Sequence, residues 1–138
     1  MNAVAVSETA LPLALVVDDS PFLAAHLSRL LLTLGMDACI PATAAELRTL
    51  APRAAAIFVE LELFHASGFE VMRELAAQYS CALVLLTGTG RKTDLQWGLR
   101  AGASAVLPRP VTAAALHDAL ASVACTGMRN ERGAGQRQ

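Results

Sequence analysis

The stretch that decides the fold covers residues 13–35 and reads LALVVDDSPFLAAHLSRLLLTLG. An apolar run rich in branched side chains ends abruptly in two acids, which is typical of a strand buried on both faces. Ser20 is a favoured N-cap, Pro21 suits the first helical position, and Gly35 suits the end of a helix. The stretch therefore predicts one β–α unit with two acids at the turn between strand and helix.

The same pattern recurs downstream. Apolar runs at residues 36–40, 54–60, 81–87 and 104–110 alternate with helical stretches at 43–52, 67–79, 93–102 and 112–125. Thr43 with Glu46, and Ser67 with Glu70, have the spacing of a capping box at a helix start. Five β–α units in a row predict parallel strands joined by crossover helices, which is an α/β fold.

Length and composition narrow the class of protein. The 138 residues fit one domain at 13–125, with a short flexible lead at 1–12 and a polar, glycine-rich, disordered tail at 126–138. A formal net charge of -1 gives no electrostatic reason to expect nucleic acid as a partner. Three dispersed cysteines favour a reducing compartment, and no apolar run approaches the ~20 residues of a membrane span. We therefore expect a cytoplasmic protein that binds neither nucleic acid nor membrane.

Charged and polar side chains stand at the carboxyl ends of four predicted strands. They are Asp18 and Asp19 after the first strand, Glu60 after the third, Thr87 after the fourth and Arg109 after the fifth. In an open parallel sheet, the functional site lies beyond these strand ends. Crowded carboxylates repel one another and need a counter-charge, and Mg²⁺ takes oxygen ligands of this kind. The sequence therefore predicts one acidic site at this edge of the sheet.

These motifs resemble the receiver domain of two-component response regulators, in its chemotaxis-regulator-like form. VVDDSPF resembles the family's acidic pair, SGFEVMREL its third helix, LLTGTG its hydroxyl followed by a small residue, and AGASAVLPRP its run into Lys-Pro. The resemblance implies a flavodoxin-like, doubly wound (βα)5 fold, with a parallel sheet of order 2-1-3-4-5 between two helical layers. It also implies a phosphorelay role, in which a histidine kinase passes a phosphoryl group to an aspartate.

Two positions of the implied site depart from the family pattern together. Glu60 stands where the family keeps its phosphoacceptor aspartate, and its side chain is longer by ~1.5 Å. Misplacement of a reacting group by ~1 Å can cost ~100-fold in rate. Arg109 replaces the lysine that contacts the phosphoryl group, and its planar fork suits a carboxylate partner. The two changes indicate a pseudo-receiver that acts through protein contacts without being phosphorylated.

Three further features follow from the resemblance. Val106 stands at the position of the family's aromatic switch, so that switch is absent. Phe64 replaces a common proline in the loop after the acceptor position. The peptide bond between Arg109 and Pro110 is expected to be cis, because it matches the family's Lys-Pro.

Metal binding is expected to be weak or lost. Asp18, Asp19 and Glu60 would be the ligands, but Arg109 can neutralise the cluster that would otherwise attract Mg²⁺. No other cofactor is expected.

A partner surface is expected on the fourth helix, fifth strand and fifth helix, the face through which the family usually meets partners or a second copy. Gly98 and Ala101 should face the sheet, whereas Trp97 should point away from it. Leu95 and Trp97 are the candidate anchors for a signalling protein, a histidine kinase or a homodimer mate. We expect no output domain, and we therefore expect the protein to act through such contacts.

Alternative functions remain open from the sequence. A switchable response regulator would retain metal binding or weak phosphorylation at the same site. A metal-dependent phosphohydrolase could use the acidic cluster, but the strand ends offer no evident pair of nucleophile and base. We therefore do not expect an enzyme. The case for dinucleotide binding is weaker still, because DDSPF follows the first strand in place of a G-x-G-x-x-G pattern.

Overall fold

The structure, a computed structural model, describes residues 11–122. Five strands and their connecting helices alternate along this range. The strands are β1 Leu13–Val17, β2 Asp37–Cys39, β3 Ala56–Glu60, β4 Ala82–Thr87 and β5 Ala105–Pro108. The helices are α1 Pro21–Thr33, α2 Ala44–Leu50 with a 3-10 turn at Ala51–Arg53, α3 Gly68–Gln78, α4 Lys92–Ala101, and α5, which covers 113–122.

The helix boundaries follow the residues that predicted them. The Ser20 hydroxyl accepts a hydrogen bond from the Leu23 N–H at 3.2 Å, and Thr43 accepts one from the Glu46 N–H at 3.1 Å. Gly35 follows α1 with a φ of +86°, and Gly102 caps α4 with a φ of +115°, a backbone conformation that side chains with a Cβ rarely adopt. These local signals mark the starts of α1 and α2 and the ends of α1 and α4.

The five strands form one parallel sheet of order β2-β1-β3-β4-β5. Alternate strand residues enter two separate apolar clusters, one on each face of the sheet. One cluster packs against α1 and α5 through Leu27, Leu31 and Leu116, and the other against α3 and α4 through Met72, Leu75 and Ala101. The sheet order and the three layers confirm the predicted flavodoxin-like fold.

Parts of the predicted organisation lie outside the described residues. These parts are residues 1–10 of the N-terminal lead, Cys125 and the tail at 126–138. Within the described range, Cys39 and Cys81 are free and half-buried, so they are less buried than small core residues. None of the helices in residues 11–122 combines the length and apolar character that a bilayer crossing requires.

Candidate functional site

The carboxyl ends of β1, β3, β4 and β5 meet at one edge of the sheet. Strand register pairs Val17 with Val59 and Thr87 with Pro108, so the residues that follow these positions emerge side by side. The Arg109 N–H donates to the Thr87 carbonyl oxygen at 2.8 Å, which fixes the main chain of β5 against β4 at this edge. The predicted strand-end residues are therefore placed on the same rim.

Arg109 bridges two of the carboxylates. Its Nε donates to Glu60 Oε1 at 2.8 Å, and its Nη2 donates to Asp18 Oδ2 at 2.5 Å. The side chains of Arg109, Glu60 and Asp18 are only 14%, 9% and 3% exposed. Charge-assisted hydrogen bonds of this kind are stronger than neutral ones, and solvent screens them less when they are buried. The guanidinium is therefore the counter-charge of the buried part of the cluster.

The main chain takes up the remaining oxygens of these two carboxylates. The Ser20 N–H donates to Asp18 Oδ1 at 2.9 Å, and the Glu62 N–H donates to Glu60 Oε2 at 3.1 Å. Each oxygen of both carboxylates thus accepts a hydrogen bond. Burial raises the pKa of Asp18 above its usual value and outweighs the Ser20 N–H and the Arg109 guanidinium, which favour the ionised form.

Asp19 has a different hydrogen-bond partner from this pair. Its Oδ2 accepts a hydrogen bond from the main-chain N–H of Phe64, in the loop between β3 and α3. Arg109 thus bridges only Asp18 and Glu60 among the three predicted acids, whereas Asp19 is bound by the loop between β3 and α3. Phe64 makes this contact through its main-chain N–H, and its side chain is 80% exposed.

Thr87 is buried at the end of β4, but its hydroxyl is turned towards α4. It donates to Asp94 Oδ2 at 3.1 Å and accepts from the Thr89 N–H at 3.2 Å. Thr89 also donates to Asp94 through its own hydroxyl. The predicted site hydroxyl is thus brought to the rim and then engaged by the first turn of α4.

The residues at the acidic cluster do not fit a divalent cation. Among residues 11–122, no three side chains from His, Cys, Asp and Glu are grouped so that they could hold a metal ion. The physical reason is visible in the donor set, because a guanidinium already binds one oxygen each of Asp18 and Glu60. A divalent cation that used these oxygens would have to displace a positive charge of the chain itself.

Val106 is half-buried in β5 and packs beneath α4. A Cβ built on Gly98 would come within 2.7 Å of Val106 Cγ2, so the helix approaches the strand closely at this point. The Arg109–Pro110 peptide bond after β5 is cis.

The predicted anchors of the partner surface lie on opposite flanks of α4. Gly98 and Ala101 are buried against the sheet, whereas Leu95 is 42% and Trp97 52% exposed. Two helical steps separate Leu95 from Trp97 by about 200°, so the two candidate anchors point to different sides of the helix. Leu99, which is 49% exposed, lies on the Leu95 flank. The Arg100 guanidinium lies 5.6 Å from the centre of the Trp97 ring.

Sequence reasoning missed three features of this site. Asp94 is one of them, and its place in the first turn of the helix after Thr87 was the available signal. Gly68 is another: a Cβ there would collide with the Glu60 carbonyl oxygen and the Leu61 Cα, so only glycine lets α3 start so close to β3. The Phe64 N–H is the third, and the available signal was that Phe64 replaces a common proline, which has no main-chain N–H.

Comparisons with known proteins bear on the family and the fold. A family profile described as "Response regulator receiver domain" matches residues 14–121. No match is found among curated proteins. The chain is similar to the signal receiver domain of a modulated diguanylate cyclase from Desulfovibrio desulfuricans G20, with 26% identity, a TM-score of 0.74, and coverage of 87% of this chain and 98% of that one.

Two further solved structures are similar. A CheY-like response regulator receiver domain from Methylobacillus flagellatus has 27% identity and a TM-score of 0.70 over 83% of this chain and 99% of its own. A response regulator from Burkholderia pseudomallei, solved with a phosphorylated aspartic acid, a calcium ion and citrate, has 22% identity and a TM-score of 0.70 over 92% of this chain and 75% of its own. With a profile match over most of its length and the sheet order 2-1-3-4-5, the chain belongs to the response regulator receiver domain family of two-component signalling.

Proposed function

We propose that this chain is a pseudo-receiver, a receiver domain that works by binding other proteins while its phosphoacceptor position, Glu60, stays unphosphorylated. The single observation that carries the proposal is the Arg109 guanidinium, which bonds Glu60 at 2.8 Å and Asp18 at 2.5 Å. It supports the proposal because the atoms that would bind a metal ion and attack a phosphodonor already have a partner.

Position and charge both act against phosphoryl transfer to Glu60. Transfer depends almost entirely on placing the attacking oxygen in line and on stabilising the charge that develops on the phosphoryl group. The extra methylene of Glu60 pushes its carboxylate into the space that the phosphoryl group would occupy. The Glu62 N–H and Arg109 then hold both carboxylate oxygens in hydrogen bonds. Attack on a phosphodonor would have to break one of these bonds.

The same contacts support a site held in one state. In Thr87, the hydroxyl is bound to Asp94 and Thr89, and Val106 offers no aromatic ring at the switch position. Receiver domains interact with histidine kinases and other signalling proteins, and we propose that this one does so constitutively, in the cytoplasm. The exposed flanks of α4, with Leu95 and Leu99 on one side and Trp97 on the other, are the proposed contact surface.

A second candidate is a regulator that still switches. It is favoured by the retention of Asp18 and Asp19, and by a similar protein from Burkholderia pseudomallei that carries a phosphorylated aspartic acid and a calcium ion. Under this alternative, a kinase or a high concentration of metal would displace Arg109 from Glu60. The two candidates differ in whether the wild-type chain gains a phosphoryl group.

Intact-mass measurement after incubation with acetyl phosphate and Mg²⁺ tests the proposal. We expect no mass gain for the wild type, and we expect the double variant Glu60→Asp/Arg109→Lys to gain one phosphoryl group on the aspartate introduced at position 60. A phosphoryl group mapped to Glu60 of the wild type would overturn the proposal. A double variant that stays inert would show that loss of function at the site extends beyond these two residues.

A further inference from the structure

The β3–α3 loop contacts the third acid of the site, which follows the neighbouring strand β1. The Phe64 N–H donates to Asp19 Oδ2, a contact between residues 45 positions apart in the chain. The loop that carries it is closed at its base, since Glu62 and Ser67 form an antiparallel bridge and the Gly68 N–H donates to the Leu61 carbonyl at 2.7 Å. The loop therefore presents a fixed main-chain donor to Asp19.

At least five of the six carboxylate oxygens at the site accept hydrogen bonds from the chain itself, once this contact is counted with those to Asp18 and Glu60. Arg109 accounts for two of them, and main-chain N–H groups account for the other three. Oxygen ligands that are engaged in this way have to give up their donors before they can coordinate a hard cation.

We propose that the Phe64 N–H is a separate determinant of cation exclusion, because it engages a carboxylate oxygen of Asp19 that a cation would need. The inference rests on the proposed function, because it assumes a site that has given up its metal. It adds a residue whose contribution is independent of Arg109. Restoring aspartate at position 60 and lysine at position 109 would then restore only part of the cation affinity.

Proline and alanine at position 64 separate the N–H from the side chain. Phe64→Pro deletes the donor because proline has no main-chain N–H. Phe64→Ala keeps the donor and removes the same exposed ring, so it is the matched control. Both substitutions are made in the full chain that already carries Glu60→Asp and Arg109→Lys.

Calorimetric titration with MgCl₂ alone is the first measurement. We expect the proline variant to bind Mg²⁺ about fivefold more tightly than the alanine variant, which corresponds to the net loss of one typical hydrogen bond. Equal affinities in the two variants would overturn the inference. This affinity ratio is measured without a phosphodonor. Equal affinities could therefore occur although wild-type Glu60 is not phosphorylated, and a fivefold difference could occur although Glu60 is phosphorylated.

Amide hydrogen exchange supplies a second measurement that needs no proline, in case that variant fails to fold. The Phe64 N–H should exchange about fivefold more slowly in the wild type than in Asp19→Ala, whose side chain cannot accept the bond. Position 64 should be equally protected in Phe64→Ala, because the N–H is unchanged. Equal exchange rates in the wild type and Asp19→Ala would contradict the proposed role.

Discussion

Glu60 and Arg109 are best understood as a pair. A glutamate alone would place a second carboxylate in the buried region of Asp18, and removal of water makes like-charge repulsion costly. Arg109 neutralises both acids with one fork of donors. A free glutamate would be a partial mimic of phosphoaspartate, with less charge and fewer acceptor oxygens. Because Arg109 is bonded to it, Glu60 presents little of that charge to a partner.

Asp18 shows that burial and ion pairing oppose each other at this site. Burial raises the pKa of Asp18 above its usual value despite the nearby guanidinium. The folded chain therefore holds this proton to a higher pH than the unfolded chain, and ionisation costs stability as pH rises through the interval between the two pKa values. Above that interval, the ionised Asp18 side chain makes the folded state less stable than a protonated one would.

Substitution of Asp18 by asparagine tests this sign. The amide introduced by Asp18→Asn does not titrate. The pH dependence of the difference in free energy of unfolding between wild type and variant therefore reports the ionisation of Asp18. We expect the wild type to gain stability relative to Asp18→Asn as pH falls from about 7 to about 4. Urea unfolding at both pH values measures this difference. A relative loss of wild-type stability at the lower pH would mean that Arg109 outweighs burial.

At the scale of elements, the approach of α3 to β3 determines where Glu60 sits. Gly68 starts α3, and its missing side chain leaves room for the Glu60 carbonyl oxygen. The Ser67 hydroxyl accepts the Phe69 N–H at 3.1 Å and stabilises the same helix start. The loop between the two elements is thereby drawn against the rim, which brings the Phe64 N–H within reach of Asp19.

Helix α4 divides its exposed apolar residues between two flanks, and this division predicts separate roles. Trp97→Ala should weaken self-association or partner binding by about 2 kcal/mol, because buried tryptophans dominate many interfaces. It should leave the free energy of unfolding nearly unchanged, since Trp97 is already 52% exposed and its contact with Arg100 is worth about 0.5 kcal/mol. Sedimentation equilibrium and urea unfolding measure the two quantities.

Leu95→Ala is the matched control for this experiment, because it removes an apolar side chain from the other flank of the same helix. If both substitutions weaken association equally, one partner wraps around both flanks of α4. A Trp97→Ala chain that loses stability yet associates normally would identify Trp97 as a packing residue. A wild type that stays monomeric would exclude the homodimer and leave another protein as the partner.

At the scale of the whole molecule, the sequence predicts the fold because several local signals agree. Apolar runs with alternating faces, caps such as Ser20 and Thr43, and stops such as Gly35 all place the same boundaries. Parallel strands then bring their carboxyl ends to one edge by necessity. This topology determines which residues form the site and why Glu60 lies close to Arg109.

The orientation of side chains within the site could not be predicted in the same way. Thr87 lies where expected, but its hydroxyl follows Asp94, which a strand-end argument does not include. Asp19 is held by a main-chain donor, a group that every residue except proline carries, so the residue type at position 64 does not reveal the contact. Leu95 and Trp97 are both exposed, as partner anchors must be, but their role in binding stays a prediction.

In the proposed site, Arg109 takes the place of a metal ion as a built-in cation. The most direct measurement is the free energy of unfolding with and without MgCl₂ at constant ionic strength, for the wild type and for Arg109→Ala. Arg73→Ala, which removes an exposed arginine from α3, controls for the change in net charge. Any ligand that binds the folded state alone raises this free energy, so Mg²⁺ binding is read directly as stability.

We expect Mg²⁺ to leave the stability of the wild type and of Arg73→Ala unchanged. Arg109→Ala should lose about 3 kcal/mol without Mg²⁺, because two buried carboxylates lose their partner, and it should regain part of that loss when Mg²⁺ is added. Stabilisation of the wild type by Mg²⁺ to the same extent as Arg109→Ala would mean that Arg109 does not exclude the ion.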